Sequence, residues 1–437
     1  MNNGKKGITA REIIFIVGAV FVFFEIYLMK YVNALRYVDE LIAVLCLAKI
    51  LIAVFRKGLD RNHIYMLMLM VLVLAIGLVS NYFAGIQTLS KPIIMDIGNC
   101  FKVFVTYVGA SLYLKPVKSK KRIISSLAFV MRCFVVLLFG CMILSYVGVL
   151  DMGGDNRYGI ESFYFINDGA GQLSFLFYSI IMVLTLDQKY PSQWRQMKLV
   201  FIAMALVVWT STLRTRAFIY VVAYIALYWA LIVKKIKIEL NWKTVLLAII
   251  VLYIFSADQI DMYFSNPKTA RAYFARFGSY TMERYFPFGS GFATYGTDAA
   301  VVYYSRLYWQ YRFYQVWGLN PLNPIFTHDT YWPAIMAQFG FFGLVAMVLV
   351  VVFWVRDVAK KSAVNPYAYL VGLFICMTQL SASIATATFF HFVTVAVMFM
   401  LPLAFDEDTS FERRNSDEES DSIHPDLQPS PGPAPGV

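Results

Sequence analysis

The sequence predicts an all-α polytopic integral membrane protein with about twelve transmembrane helices and one long extracytoplasmic loop. Three observations predict it. The 437 residues are 59% hydrophobic and only 15% charged, where soluble domains carry about 25% charged residues. Apolar runs approaching the ~20 residues that a helix needs to cross a bilayer recur along most of the chain. Basic residues gather in every second short loop between those runs, the pattern that orients spans toward the cytoplasm.

The runs are 12–30, 39–55, 64–84, 93–114, 123–149, 170–187, 197–212, 217–233, 243–260, 333–355, 366–384 and 387–405. The first lacks a small-residue cleavage site, so it is expected to stay as the first helix. The seventh and eighth are short and joined by the turn LRTR. Helices 1–9 thus occupy 1–260 and helices 10–12 occupy 333–405. Between them lies the loop 261–332.

Lys5, Lys6, Arg11, Arg56, Lys57, Arg61, the 115–122 cluster, Lys189, Arg195, Lys198, the 234–243 cluster, Arg356, Lys360 and Lys361 bring 21 basic residues to one set of loops. Lys30, Arg36, Lys91, Arg157, Arg214 and Arg216 bring 6 to the intervening short loops. Both termini are therefore expected in the cytoplasm and the 261–332 loop outside. The same distribution accounts for the net charge of +11 without a nucleic-acid partner. The tail 406–437 is acidic and then Pro-rich, a composition expected to be disordered. The five cysteines fall inside apolar runs without metal spacing, and no metal or cofactor is expected.

A loop of this length is uncommon unless functional or disordered, and its wealth of Tyr, Phe and Trp argues against disorder. It is expected to be a folded binding or catalytic element. Arginines on the outer side run against the orientation bias, and each calls for a reason. Arg214 and Arg216 sit at the outer turn, and Arg276 and Arg284 sit in the loop. Arginine offers a planar fork of donors suited to phosphate, so these four are candidates for a pyrophosphate site; snorkelling to lipid headgroups is the competing reading. Arg157, Tyr304, Tyr308, Tyr311 and Trp332 are candidates for contact with sugars. Of four histidines, His63 falls in a cytoplasmic loop, His424 in the tail and His391 near the start of the last span. His328 lies at the outer interface beside Asp329, and either is a candidate general base. PFGSGF is a turn and not a P-loop, because no helix with Lys and Ser/Thr follows it. Lys49, Asp96, Lys102 and Arg132 are charges within spans, positions where a transporter would hold its working groups.

The order of features resembles the O-antigen ligase/polymerase superfamily, and particularly its Wzy-type polymerases. The features are LRTRAFI, then ARFGSYTMERY, PFGSGFATYG and YYSRLYWQY, and finally THDTYWPAIMAQFGFFGL entering a span. The resemblance covers about 205–345, with RYGI…FIND near 157–168. It implies a metal-independent glycosyltransferase of GT-C-like architecture in the bacterial cytoplasmic (inner) membrane. Such an enzyme joins oligosaccharide repeats carried on undecaprenyl pyrophosphate into O-antigen, capsule or exopolysaccharide. On matching positions, Arg216 and Arg276 would hold the donor pyrophosphate and His328 would be the base. Where ligases read H-N, this chain reads H-D, and Gly340 stands twelve residues after His328. That tilts the expectation toward a polymerase and leaves the base open between His328 and Asp329. The expected partners are the lipid-linked oligosaccharide, membrane lipid and a chain-length regulator. The alternatives are a ligase transferring glycan to lipid A core or protein, and a lipid-linked oligosaccharide flippase or transporter.

Overall fold

The computed structural model describes residues 8–117, 119–157, 159–167, 169–190, 195–236, 269–326 and 330–405. The expected span 243–260, the tail 406–437, His424 and both candidate bases, His328 and Asp329, lie outside the described residues.

Five helices open the fold: α1 (Ala10–Tyr31), α2 (Val38–Phe55), α3 (Arg61–Ala84), α4 (Ser90–Leu114) and α5 (Lys121–Tyr146). A capping box starts α1: Thr9 Oγ1 accepts from the Glu12 amide and the Glu12 carboxylate accepts from the Thr9 amide, which satisfies two of the free donors at a helix start. A short antiparallel hairpin follows, β1 (Gly153–Arg157) and β2 (Ile160–Phe163), with Arg157 opposite Ile160 and Asn156 opposite Glu161. This hairpin corrects the all-α expectation at one loop. Then come α6 (Ala170–Asp187), α7 (Arg195–Ser211) and α8 (Thr215–Tyr228), the last continuing into a π-helical turn at Trp229–Val233. The long loop contains α9 (Ala270–Arg284), α10 (Asp298–Val302) and α11 (Arg306–Gln310). It leads to α12 (Trp332–Ser362), α13 (Pro366–Ala385) and α14 (Phe392–Met400).

Eight helices among the described residues are long and apolar enough to cross a membrane: α1, α3, α4, α5, α6, the continuous Thr215–Val233, α12 and α13. Two shorter apolar helices, Gln196–Ser211 and Phe392–Ala404, accompany them. The chain is therefore a helical membrane-embedded protein. Its surface agrees. On α3 the buried residues His63, Met66, Met70, Val73, Ile76 and Ser80 recur at three- and four-residue steps, while Met68, Val71, Leu72 and Val79 on the other side are exposed. A helix apolar on both faces needs an apolar solvent outside as well as a core within. α6 is buried at every position from Leu173 to Asp187 and forms the centre of the bundle.

The last expected span, 387–405, is not one helix. His391 interrupts it with an extended backbone, its Nδ1 accepting from the Val393 amide at 3.3 Å. Thr386 and Thr388 bond to each other just before it.

The two ends of the bundle differ. At one end the hairpin, the α7–α8 turn and the long loop gather: Tyr146 Oη donates to the carbonyls of Glu161 and Ser211, and Lys30 Nζ to Ile166 O. At the other end lies a buried ionic network. His63, expected in a loop, is in the first turn of α3 and 0% exposed. Its Nε2 is 3.1 Å from Asp357, which also accepts from Tyr107 Oη at 2.7 Å and pairs with Lys361 at 3.0 Å. Lys361 and Lys115 both reach Asp60. Burial alone would raise the Asp60 pKa, but these two ammonium groups hold it below the usual carboxylate value.

Candidate functional site

The long loop is a small folded unit. Phe274, Tyr295, Leu307, Tyr308, Phe313 and Leu319 make a core of their own. Helix α9 contributes to it through Phe274, and Gly278 lets α9 lie directly on Pro333, whose carbonyl oxygen is only 2.9 Å from where a Cβ would stand.

The PFGSGFATYG stretch does more than turn. It is plugged into a break in α12. Gly340 has φ 61 and ψ −157 inside that helix, so carbonyls and an amide that a continuous helix would use internally are freed. The loop takes them up: Ser290 N donates to Ala337 O at 2.9 Å, Gly291 N to Gln338 O at 2.8 Å, and Phe341 N to Pro287 O at 3.0 Å. Irregular backbone at membrane depth is tolerated only with such substitution. Side chains of α3 and α4 lock the other edge. Asn81 accepts from Phe292 N at 2.8 Å and donates to Phe292 O at 3.0 Å. Asp96, 0% exposed, accepts from Ala293 N at 2.5 Å. Asp96 therefore anchors the loop backbone. We expect Asp96→Ala, which strands a buried amide, to cost about 1–3 kcal/mol. It should appear as a lower Tm and faster proteolysis within 286–297. Asp96→Asn keeps an acceptor oxygen and should cost less; equal losses in the two variants would contradict the anchoring role.

The tyrosines expected to face sugars divide. Tyr308 is 0% and Tyr311 6% exposed, and both belong to the loop core. The Tyr308 hydroxyl accepts from Gly296 N at 2.7 Å, and that of Tyr311 accepts from Thr281 Oγ1 at 3.0 Å. This corrects their assignment to a stacking surface: their hydroxyls are used internally and their faces are covered. Tyr304 is half-buried, donating to Leu319 O at 2.9 Å, and burial with Tyr314 nearby pushes its pKa up to about 12. It can offer a hydroxyl, and it is no base near neutral pH. Trp332 is half-buried and donates to Ser383 Oγ at 3.0 Å.

The arginines divide as well. Arg157 and Arg214 each lie 3.6 Å from one carboxylate oxygen of Asp155, so these two arginines have an acidic partner that the sequence reading did not single out. Arg276 and Arg284 are exposed on α9, eight residues apart with Tyr280 midway, one stripe of a helix surface. Each packs beside its own neighbour, Phe277 and Tyr285.

Arg216 is different. It is half-buried in the first turn of α8, and its guanidinium lies 4.4 Å from the Phe175 ring centroid. Gly171 lies beside it: a Cβ there would be in ordinary contact with Nη2, at 3.7 Å. Among the described residues no carboxylate pairs with it. The Phe175 ring also stacks on His391 at 5.0 Å. Because Nδ1 of His391 accepts a backbone proton, its neutral ring carries hydrogen on Nε2 and acts as a donor. Phe175 was missed in the sequence because it sits inside an apolar run. His391 was noted, but its break in the last span was not foreseen.

Among the described residues no contact joins Arg216 and Arg276, and the face of α9 that meets α12 lies about half a turn away from the Arg276 stripe. Gly278, two residues after Arg276, touches Pro333. On the other side, Tyr331 packs against Phe390 at 4.8 Å, next to the His391 that stacks with Phe175. Near the α12 entrance the geometry thus brings together Arg216, with no carboxylate partner among the described residues, the Phe175 ring beneath it and the His391 ring stacked on Phe175. This can bind an anion that itself carries an apolar or sugar group. Compared with known proteins, the chain matches no protein-family model and no curated protein.

Proposed function

We propose that this protein is a polysaccharide polymerase. It joins oligosaccharide repeat units carried on undecaprenyl pyrophosphate, at the outer face of the bacterial inner membrane, without a cofactor. The observation that carries the proposal is Arg216: a half-buried guanidinium over an aromatic ring, with no acidic partner among the described residues. A cation held so is a site for an anion. In this reading the donor pyrophosphate meets Arg216, with Arg276 and Arg284 approaching from α9. Developing negative charge on the leaving lipid pyrophosphate is stabilised there. His328 or Asp329, just before α12, removes the proton of the acceptor hydroxyl. The isoprenoid enters sideways along an apolar groove of about 330 Å³ between α3 and α12, lined by Leu69, Leu72, Phe288, Phe342 and Leu349. The about twelve spans of a GT-C-like scaffold, with cytoplasmic termini, belong to the same reading. The concentration of basic residues at the end opposite the hairpin supports that orientation. A chain-length regulator is the expected protein partner.

A strain lacking this chain should lose long glycan and keep single repeats; complementation should restore the ladder. If His328 is the base, His328→Ala should lower the rate ~10²–10⁴-fold and remove a pH–rate limb near ~6.5, with Asp329→Asn costing less. The reverse ranking assigns the base to the carboxylate. Full activity in both variants would leave neither residue as the base.

The flippase reading draws on one observation, the buried charges at Glu25, Asp39 and Lys102. It would be favoured if lipid-linked substrate crossed a bilayer with no new glycosidic bond.

A further inference from the structure

Where α1, α2 and α4 meet, three carboxylates converge. One oxygen each of Glu25, Asp39 and Glu40 lies within 4.8 Å of the others. Lys102 from α4 pairs with Asp39 at 2.6 Å and stands 3.8 Å from Glu40. The second Asp39 oxygen accepts the Glu40 amide at 2.9 Å. Glu25 is left over. It is 1% exposed, its Oε2 has no hydrogen-bond partner, and no ammonium or guanidinium pairs with it among the described residues. Three carboxyl groups meet one ammonium here, more than Lys102 alone can pair. Buried charge persists only when paired or bound to a cation, and charged groups within spans mark working sites. Asp96, six residues earlier on α4 and on another face of it, is engaged with Ala293 and does not share in this cluster.

We propose that Glu25, Asp39 and Glu40 bind a divalent cation of calcium's size. Calcium takes oxygen ligands at ~2.3–2.6 Å, so ligands on opposite sides of it stand roughly 4.6–5.2 Å apart. All three oxygens lie within 4.8 Å of one another, close enough to share one such ion, with water completing the shell. A magnesium ion demands near-ideal octahedral geometry and gives up its waters reluctantly, so it is expected to bind more weakly. Glu40, whose side chain is 45% exposed, gives the ion its way in, while Lys102 fixes Asp39 and keeps the site from collapsing. The inference is independent of the glycosyltransfer reading.

The test uses the full-length protein in detergent, stripped with chelator. Its Tm is measured against added CaCl₂ and MgCl₂, and bound ⁴⁵Ca²⁺ is counted by equilibrium dialysis. Wild type should bind one calcium per chain and gain Tm as calcium exceeds Kd, with magnesium weaker. Glu25→Gln should lose more than about tenfold in affinity, because ligand charge sets the strength of such sites, and its Tm should no longer respond. In chelator that variant should unfold no earlier than wild type, since it removes an unpaired buried charge. Glu40→Gln, at the half-exposed mouth, gives the same reading should Glu25→Gln fail to insert. Calcium binding unchanged in both variants would overturn the proposal by placing the ion elsewhere, for example on the acidic 406–422 stretch. A wild-type Tm indifferent to calcium but raised by lowering the pH would overturn it too, because the cluster would then be neutralised by protons.

Discussion

Arg216→Ala should abolish polymer formation, a loss of at least ~10²–10³-fold in rate, while the protein remains in the membrane at wild-type level. Removing this guanidinium disturbs no ion pair among the described residues, and Phe175, beneath it at 4.4 Å, keeps its stacking on His391. The fold should therefore tolerate the change, and the loss should fall on the bound anion. Arg216→Lys should fail substantially as well. A flexible point charge does not reproduce the planar fork or lie flat on an aromatic ring. Arg214→Ala is the internal comparison. Arg214 shares Asp155 with Arg157, and exposed pairs of this kind contribute only about 0–1 kcal/mol, so its effect should be much smaller. Wild-type polymer from Arg216→Ala at matched expression would remove the basis for a pyrophosphate site at this turn.

Gly340→Ala should destabilise the protein strongly for a single added methyl group. At φ 61 and ψ −157 the residue occupies a region open essentially to glycine alone, with strain on the order of 1–3 kcal/mol for any side chain. Space is closed as well: a Cβ would collide with the carbonyl oxygen of Pro287 and the amide of Gly289. These are backbone atoms that cannot swing away. Relief requires expelling the 287–291 segment, which breaks the bonds from Ser290, Gly291 and Phe341 and leaves the helix break unsatisfied. The expected result is a marked drop in Tm in detergent and early proteolysis of the loop. Gly98→Ala in α4 is the control, since a Cβ there meets nothing within 4 Å, and Ala favours helix over Gly by roughly 1 kcal/mol. Equal Tm values for the Gly340→Ala and Gly98→Ala variants would contradict the plugged-helix arrangement.

The membrane character was legible because length and apolarity report each span directly: α1, α3, α4 and α5 begin and end within a few residues of their runs. The long loop was legible as folded but not in its inner order. Its aromatic residues look alike in sequence, and only the fold separates Tyr308, fully buried, from Trp317, which is 74% exposed. The break at Gly340 was hidden because the residues around it are as apolar as a continuous helix. Asp96 stood out as a charge in a span, yet its role depends on Ala293, nearly two hundred residues away. Of the arginines, composition and topology picked a group but could not rank its members. Asp155 settles two of them, and it is distant in sequence from Arg214. The hairpin at 153–163 was missed because its glycines and exposed polar residues carry no strand alternation.

The central claim is tested most directly by reconstituting the purified full-length chain in vesicles with undecaprenyl-pyrophosphate-linked oligosaccharide. Product length and released undecaprenyl pyrophosphate are then measured together. The account predicts a ladder of whole repeats, one lipid pyrophosphate released for each bond formed, and neither product from the Arg216→Ala variant. Passage of intact lipid-linked oligosaccharide across the bilayer, with no ladder and no released lipid pyrophosphate, would contradict it.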